Sequence, residues 1–454
     1  MSSSSALSSN LILQILSRLP LKSVARFRCV SKHWASMLGS PSFKKLFLTN
    51  SLSKPRLLFA VAENGNDEDD MGINVWRFFS LPQFQNSYEK SSSDTVAAAE
   101  YHVKFSPDNL TINHYTNLKY FSCGYASGLI YFHGCRYQGR PVIYNPNTGG
   151  HTILPQRYSY RKAYSFFGFD PVGKKYKALF MAYPCGPGHH RILTLRDGDM
   201  RWRKIKCPLR HDIKSDGVCI DGVLYYVGGD LSGYSHVNKS HNVPTDYVIV
   251  CLDVRSERFT FIYVERICRL INYKGKLAVI YWEDDVDIHE LLHFEDDVYT
   301  YYEGKVDVGL TNELHLWVLE DVEKHEWSKH AYTWTDDKFF RHQVSFAGST
   351  ASGEIIFSMR KYTCGQPFYV FYFNPERNTL RRVEIQGFGE GFKKPCSVRT
   401  FVNHVEDPNV NDLELLKSFP APFGDTDSSG TDTDNSDREG IIKRPRRRSI
   451  KKKV

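Results

Sequence analysis

The apolar positions of the first fifty residues repeat with the period of an α-helix. They recur every three or four residues between Leu11 and Leu19, and this stripe stops at Pro20, whose ring cannot continue a helix. A second apolar series follows the proline, and Ser31 stands where its side chain can cap a new helix. The pattern predicts three short helices. Because such a unit encloses only a small core, part of its apolar surface is expected to face a partner.

Between residues 55 and 405 the pattern changes to short aromatic and β-branched runs separated by Gly, Pro, Asn and Asp, which is typical of strands and turns. Two units recur in this region. In the first unit a Gly turn precedes an aromatic strand, at Gly128, Gly222, Gly275 and Gly353. In the second unit an apolar strand enters an Asx-type turn, at Asn145, Asp197, Asp253, Asp321 and Asn374.

Successive Asx-turn residues stand 52 to 68 residues apart. A period near fifty, with several short strands in each repeat, is typical of β-propeller blades. Counting a first unit at residues 57–81 predicts about six blades, and residues 397–403 are predicted to pair back into that unit and close the ring. A pair of β-sandwiches is the structural alternative, because strand spacing alone does not settle closure.

The predicted fold class is therefore α+β. It comprises a small three-helix unit at residues 7–48, an all-β repeat domain at residues 55–405 and a disordered tail at residues 425–454. The tail is expected to be disordered because its first sixteen residues contain no aromatic or β-branched aliphatic side chain to bury.

Residues 7–48 resemble the F-box of the large plant F-box families, and the match is close from Ile15 to Leu48. The block Ile15-Leu16-Ser17-Arg18-Leu19-Pro20 carries the resemblance, together with the segment from Arg26 to Lys32, Trp34, Pro41 and Phe43. The resemblance implies docking on the adaptor subunit of an SCF-type cullin-RING ubiquitin ligase. The residues that it implies in adaptor binding, some of which must instead close the internal core, are Leu11, Ile15, Leu16, Leu19, Pro20, Val24, Val30 and Trp34.

The start of this block departs from the family pattern, which has Leu-Pro-Xaa-Asp and a following Glu. Ser8, Asn10 and Gln14 stand at those positions, and they lack the proline ring and the two negative charges that favour a helix N-terminus. An ordinary N-terminal helical unit that binds no adaptor is the alternative interpretation.

The β region resembles the F-box-associated domain (type 3-like) of the same plant families, mainly over residues 120–385. The similarity is carried by Gly128-Leu129-Ile130, by the segment from Tyr144 to Thr148, and by Phe167-Gly168-Phe169-Asp170-Pro171 with Lys175-Tyr176-Lys177. It implies an interaction module that selects the protein to be ubiquitinated.

Composition excludes several other classes of protein. The net charge is +8, but residues 425–454 hold nine Lys/Arg and six Asp/Glu, so only +5 is spread over the first 424 residues, which is too dilute for a nucleic-acid footprint. No signal peptide or membrane-spanning apolar stretch is visible, and the ten cysteines contain no C-x-x-C pair. We therefore expect a soluble intracellular protein that needs no metal or cofactor.

Several motifs suggest chemistry that their surroundings do not support. His289-Glu290-Leu291-Leu292-His293 matches the H-E-x-x-H zinc pattern, but it lies in an acidic segment between two strands and not on a helix. Residues 387–391, GFGEG, indicate a flexible turn, and His189-His190 is expected to be a solvated loop pair. Trp202, Trp317 and Trp327 are expected in the core between blades.

The C-terminal tail ends in a basic tract that is typical of a nuclear-localisation signal, with a solubilising tail as the alternative. The residues concerned are Lys443, Arg444, Pro445, Arg446, Arg447, Arg448, Lys451, Lys452 and Lys453. The expected location is therefore the nucleus and the cytoplasm.

Together these observations predict a substrate receptor, not an enzyme. The helical unit would bind the ligase adaptor, and the β domain would bind an unidentified target protein. A binding propeller that lacks adaptor function is the first alternative, and a hydrolase that uses His289, Glu290 and His293 is the second.

Overall fold

The computed structural model describes twelve segments of the chain. They are residues 9–63, 75–84, 95–105, 122–133, 141–155, 163–182, 188–195, 200–231, 247–282, 312–336, 339–392 and 394–411. The H-E-x-x-H motif, Asp197 and the basic tail all lie outside these ranges.

Four helices precede the first strand, where the sequence pattern predicted three. They are α1 (Ser9–Leu16), α2 (Leu21–Arg28), α3 (Lys32–Gly39) and α4 (Pro41–Leu52). Ser31 caps α3 as predicted, because its side chain accepts a hydrogen bond of 3.2 Å from the backbone N of Trp34. The additional helix has its own start signal, since Ser40 caps Phe43 and Pro41 occupies the first turn.

Twenty-seven strands form six sheets in the described residues. Blade 1 contains β1 (Arg56–Glu63), β2 (Val75–Pro82), β4 (Glu100–Phe105), β24 (Lys361–Tyr362) and β27 (Cys396–His404). Blade 2 contains β5 (Ser122–Ala126), β6 (Leu129–His133), β7 (Val142–Tyr144) and β8 (His151–Ile153). Blade 3 contains β9 (Ala163–Asp170), β10 (Lys175–Ala182), β11 (His190–Thr194) and β12 (Arg203–Ile205).

The second half of the ring is built in the same way. Blade 4 contains β13 (His211–Ile213), β14 (Val218–Ile220), β15 (Val223–Asp230), β16 (Tyr247–Asp253) and β17 (Phe259–Val264). Blade 5 contains β18 (Arg269–Tyr273), β19 (Lys276–Trp282), β20 (Asn312–Asp321) and β21 (Glu326–Trp334). Blade 6 contains β22 (Val344–Ser349), β23 (Ile355–Met359), β25 (Phe368–Asn374) and β26 (Thr379–Gln386), with β3 (Thr95–Ala98) parallel to β26.

The last strand closes the ring. Strand β27 pairs antiparallel with β1, with Val398 opposite Val61 and Phe401 opposite Leu58. This pairing confirms the predicted return of residues 397–403 to the first unit. Six apolar clusters fill the spaces between neighbouring blades, including the space between blades 6 and 1, as a closed propeller requires and a pair of sandwiches does not.

The predicted turns explain why the blades repeat. The hairpin turns Ser127-Gly128, Asp221-Gly222 and Lys274-Gly275 have positive φ at both residues, as a two-residue type I′ turn demands. The Asx turns are confirmed at the four described positions. The side chains of Asp253, Asp321 and Asn374 accept hydrogen bonds from backbone N atoms two or three residues ahead, and Asn145 does so from Asn147 at 2.9 Å.

These turns define two ends of the ring. In a four-stranded antiparallel blade, the turn between the first and second strands lies at the same end of the sheet as the turn between the third and fourth strands. This end is here called the turn end. The connections between blades lie at the opposite end. Arg56, which begins β1, pairs with His404, which ends β27, so the helical unit (residues 9–52) joins the propeller at the turn end.

One expectation about loops is wrong, and a second one is incomplete. His190 is fully buried in β11, where its ring lies 5.4 Å from that of Phe259, so the pair His189-His190 is not a solvated loop. Residues 387–391 do form a turn, but Phe388 is 3% exposed and packs edge-on against Phe59 and Phe79 in the cluster between blades 6 and 1. The turn therefore places Phe388 in the core.

Candidate functional site

The structure separates the eight residues implied in adaptor binding into exposed and buried groups. Leu11, Ile15 and Val30 have 42%, 48% and 66% of their surface exposed, and Pro20 is exposed as well. Leu16 and Val24 are buried in the core of the helical unit. Leu19 and Trp34 are partly buried around that core.

Leu11 and Ile15 stand one helical turn apart on α1, so they share one face of this helix. Trp34 has a different role, because its ring stacks on Phe27 with the centroids 5.4 Å apart and packs against the internal core. The surface that a partner can reach therefore contains Leu11, Ile15, Pro20 and Val30.

A buried junction fixes the helical unit on the propeller. Helix α2 begins after Pro20, whose side chain has no hydrogen-bonding group, and the missing cap comes from a distant residue. Oε2 of Glu406 accepts a hydrogen bond of 2.8 Å from the backbone N of Leu21. The backbone N of Glu406 in turn donates to Oγ of Ser51 at 2.9 Å, and Nζ of Lys22 donates to the carbonyl of His102 at 3.2 Å.

Two buried histidines lie beneath this junction. Burial, with a contribution from Arg56, lowers the pKa of His102 to about 4 and the pKa of His404 to about 3. Both rings are therefore neutral at physiological pH. His404 joins blade 1 to blade 2, because its ring nitrogens contact the hydroxyl of Tyr125 at 2.9 Å and Oδ1 of Asn147 at 3.1 Å.

A groove of about 400 Å³ lies between blades 4 and 5. Its floor contains Tyr281, which stacks on His315 with ring centroids 4.8 Å apart, and Trp317, which meets Tyr281 edge-on. Cations stand over two of these rings. The guanidinium of Arg266 lies 4.3 Å from the centre of Tyr281, and Nζ of Lys329 lies 3.8 Å from the centre of Trp317.

The tryptophans predicted in the inter-blade core are all partly buried against it. Trp202 packs on the cluster between blades 2 and 3, and Trp317 and Trp327 pack on the cluster between blades 4 and 5. Trp317 also lines the groove. The sequence did not predict this second role, because the groove exists only where two blades meet.

Charged residues also meet on the axis of the ring. Nη1 of Arg399 in blade 1 lies 2.9 Å from Oδ2 of Asp216 in blade 4, the blade directly across a six-membered ring. Desolvation alone would raise the pKa of Asp216, but the guanidinium groups of Arg399 and Arg269 lower it overall.

The described part of the chain contains neither a candidate metal site nor a membrane-spanning helix. No group of three His, Cys, Asp or Glu residues in these segments could hold a metal ion. Within the same segments, no helix has the length and apolar character needed to cross a membrane. The seven cysteines whose side chains are described are free.

Comparison with known proteins covers both parts of the chain. Residues 4–46 match the model of the F-box domain, and residues 56–405 match the model of the F-box associated beta propeller domain. F-box protein At2g16450 of Arabidopsis thaliana is 68% identical over 91% of this chain and 96% of its own length. F-box protein At2g15640 of the same plant is 64% identical over 94% of this chain and 99% of its own length.

Solved structures give a more distant similarity. The β-propeller domain of the Trilobed protease from Pyrococcus furiosus is 10% identical, with a TM-score of 0.30, over 59% of this chain and 72% of that chain. Neither of the two matched family models describes an enzyme.

Proposed function

Because the chain belongs to the family of F-box proteins with an F-box associated beta propeller domain, we propose that it is a substrate receptor of an SCF-type cullin-RING ubiquitin ligase. In this role the F-box binds the ligase adaptor and the propeller binds the target. The protein catalyses no bond change itself. Its contribution is to raise the effective concentration of the target near the ubiquitin-loaded subunit.

The observation that carries this proposal is the exposure of Leu11 and Ile15 on one face of α1. The small core of the F-box is complete without them, since Leu16, Leu38 and Phe43 fill it. Apolar surface that the core does not use is available to a partner. A little under half of each side chain is exposed, so burying that part contributes about 1 kcal/mol for each residue.

The test is co-purification of the full-length chain with the adaptor. The double variant Leu11→Asp/Ile15→Asp is expected to weaken adaptor binding at least about a hundredfold, with the helical content unchanged. Leu52→Asp is the matched control, because Leu52 is 59% exposed at the end of α4 and was not implied in adaptor binding. Equal adaptor binding by wild type and double variant would contradict the proposed contact.

A binding propeller without adaptor function is the second candidate, and one observation favours it. Helix α1 has no acidic residue in its first turn, where the family pattern places negative charge. Ser8→Pro together with Asn10→Asp is therefore expected to tighten adaptor binding modestly. If neither the wild type nor this variant binds the adaptor, the second candidate is correct.

A further inference from the structure

The groove between blades 4 and 5 results from a mismatch between neighbouring strands. Strand β17 of blade 4 has six residues and ends at Val264, whereas β20 and β21 of blade 5 have ten and nine residues. After Val264 the chain passes through Glu265 and Arg266 to blade 5. Blade 4 therefore leaves part of the facing surface of blade 5 uncovered, and the aromatic residues there form the floor of the groove.

The groove lies at the end of the ring that faces away from the F-box. Glu265 and Arg266 form the connection between two blades, and such connections lie opposite the turn end. The F-box joins at the turn end, through the pairing of Arg56 with His404. A ligand in the groove would therefore not compete with the adaptor for space.

The chemistry of the groove favours an acidic ligand with an apolar neighbour. Arg266 places a positive charge over Tyr281, and Lys329 places one over Trp317. The indole of Trp317 also adds apolar surface to the lining of the groove. Glu265 also lines the groove, and Glu313, which is not a lining residue, lies 3.4 Å from Nε2 of His315. Two cations with carboxylates near them do not suit the continuous negative charge of a nucleic acid. They do suit a peptide with one or two acidic side chains.

We propose that this groove recognises the target, and that it binds an extended peptide segment with an acidic side chain next to an apolar or aromatic one. The acidic side chain pairs with Arg266 and Lys329, and the apolar side chain packs on Trp317. The role in target selection rests on the proposed ligase function, whereas the peptide binding itself does not.

The experiment is a selection from a displayed library of random dodecapeptides on the full-length protein, followed by affinity measurements with synthetic peptides. The enriched peptides are expected to contain Asp or Glu beside a large apolar residue. Arg266→Glu and Lys329→Glu should each weaken their binding about tenfold or more, because reversing a charge turns attraction into repulsion. Lys324→Glu is the matched control, since Lys324 is an exposed lysine in the Asx turn of the same blade, at the opposite end.

Peptide variants identify the source of the negative charge. Replacing the acidic residue by its amide should lower affinity about tenfold, and replacing it by phosphoserine reports whether a phosphate is accepted in place of the carboxylate. Enriched peptides without acidic residues would overturn the proposal. Equal peptide affinity of the wild type and both groove variants would also overturn it. So would a selection in which the wild type enriches no peptide that the Arg266→Glu/Lys329→Glu double variant does not also enrich.

Adaptor co-purification distinguishes a failure of the groove proposal from a failure of the ligase proposal. The two groove variants are expected to bind the adaptor as the wild type does. Peptide binding without adaptor binding would remove the ligase function and leave the groove as a peptide site. Adaptor binding without selective peptide binding would remove the groove proposal alone.

Discussion

The side-chain carboxylate of Glu406 caps the helix that begins at Leu21, although 385 residues separate them in the chain. Glu406 follows the strand that closes the propeller ring, so this one hydrogen bond joins ring closure to the F-box. Burial raises the pKa of the Glu406 carboxyl group. The junction therefore contains a buried acid that is held by a helix N-terminus.

Removing the cap should weaken the junction by a predictable amount. Glu406→Ala is expected to lower the free energy of unfolding by about 1–2 kcal/mol, because the backbone N of Leu21 loses its buried acceptor. Glu406→Gln should cost little, since the amide oxygen can accept the same bond without a buried charge. Chemical denaturation of the full-length chain measures both, and hydrogen exchange at Leu21 should accelerate in the alanine variant alone. Equal exchange in the two variants would show that the cap is unimportant.

Stability should fall as the solution becomes acidic. The folded-state pKa values of His102 and His404, about 4 and about 3, lie below the ordinary value of 6.5. The unfolded chain therefore binds more protons below pH 6.5, and each histidine costs about 1.4 kcal/mol per pH unit until its folded pKa is reached. Burial also lowers the pKa of His211, which adds to this loss. Burial raises the pKa values of Glu406 and Glu354, and these two carboxyl groups act in the opposite direction.

This pH effect is measured by chemical denaturation at pH 7, 6 and 5. In His404→Gln the stability lost between pH 6 and pH 5 should be smaller than in the wild type by about 1 kcal/mol, which is the contribution of one buried histidine. A slope that does not change in this variant would contradict the assignment to buried histidines.

Ring closure should depend on packing in β27 and not on the charge pair beside it. Val398→Asp is expected to cost about 3 kcal/mol or more, because Val398 is 5% exposed between blades. Arg399→Ala, in the same strand, should cost less than about 1 kcal/mol, since the side chain of its partner Asp216 is 75% exposed. Thermal unfolding and size-exclusion chromatography compare the two variants. Similar losses of stability in the two variants would contradict the conclusion that packing, and not the charge pair, holds β27 in place.

The basic tract at residues 443–453 stays a prediction, because it lies outside the described residues. Deleting residues 441–454 is expected to shift the protein from the nucleus toward the cytoplasm. Its melting temperature should not change, because the sequence predicts a disordered tail, and disordered residues add no buried area. Fluorescence imaging of the tagged full-length and truncated chains measures the distribution. Identical distributions would indicate a solvated charge tail instead.

The sequence alone predicted those elements whose structure depends on contacts between residues close together in the chain. Ser31 caps a helix because its side chain reaches a backbone N three residues away, and Lys274-Gly275 makes a hairpin because glycine tolerates positive φ. Such turns at intervals near fifty residues predicted about six blades and a closing strand, but they left a pair of β-sandwiches as the alternative. The pairing of β27 with β1 decided between the two. The extra helix at Pro41 had a local signal too, in Ser40.

Contacts between residues that are distant in the chain could not be predicted in this way. Periodicity placed Leu11, Ile15 and Leu16 on one apolar stripe, but only packing in three dimensions buried Leu16 and left the other two exposed. His190 is buried because blades 3 and 4 close over it, and the groove exists because β17 is shorter than the strands of the next blade. Glu406 carries no local signal, since its hydrogen-bond partner lies at the other end of the chain. The sequence determined the repeating unit, because short-range hydrogen bonds and backbone preferences specify it. The tertiary structure decided which surfaces a partner can reach, because those surfaces depend on how the blades and the F-box pack together.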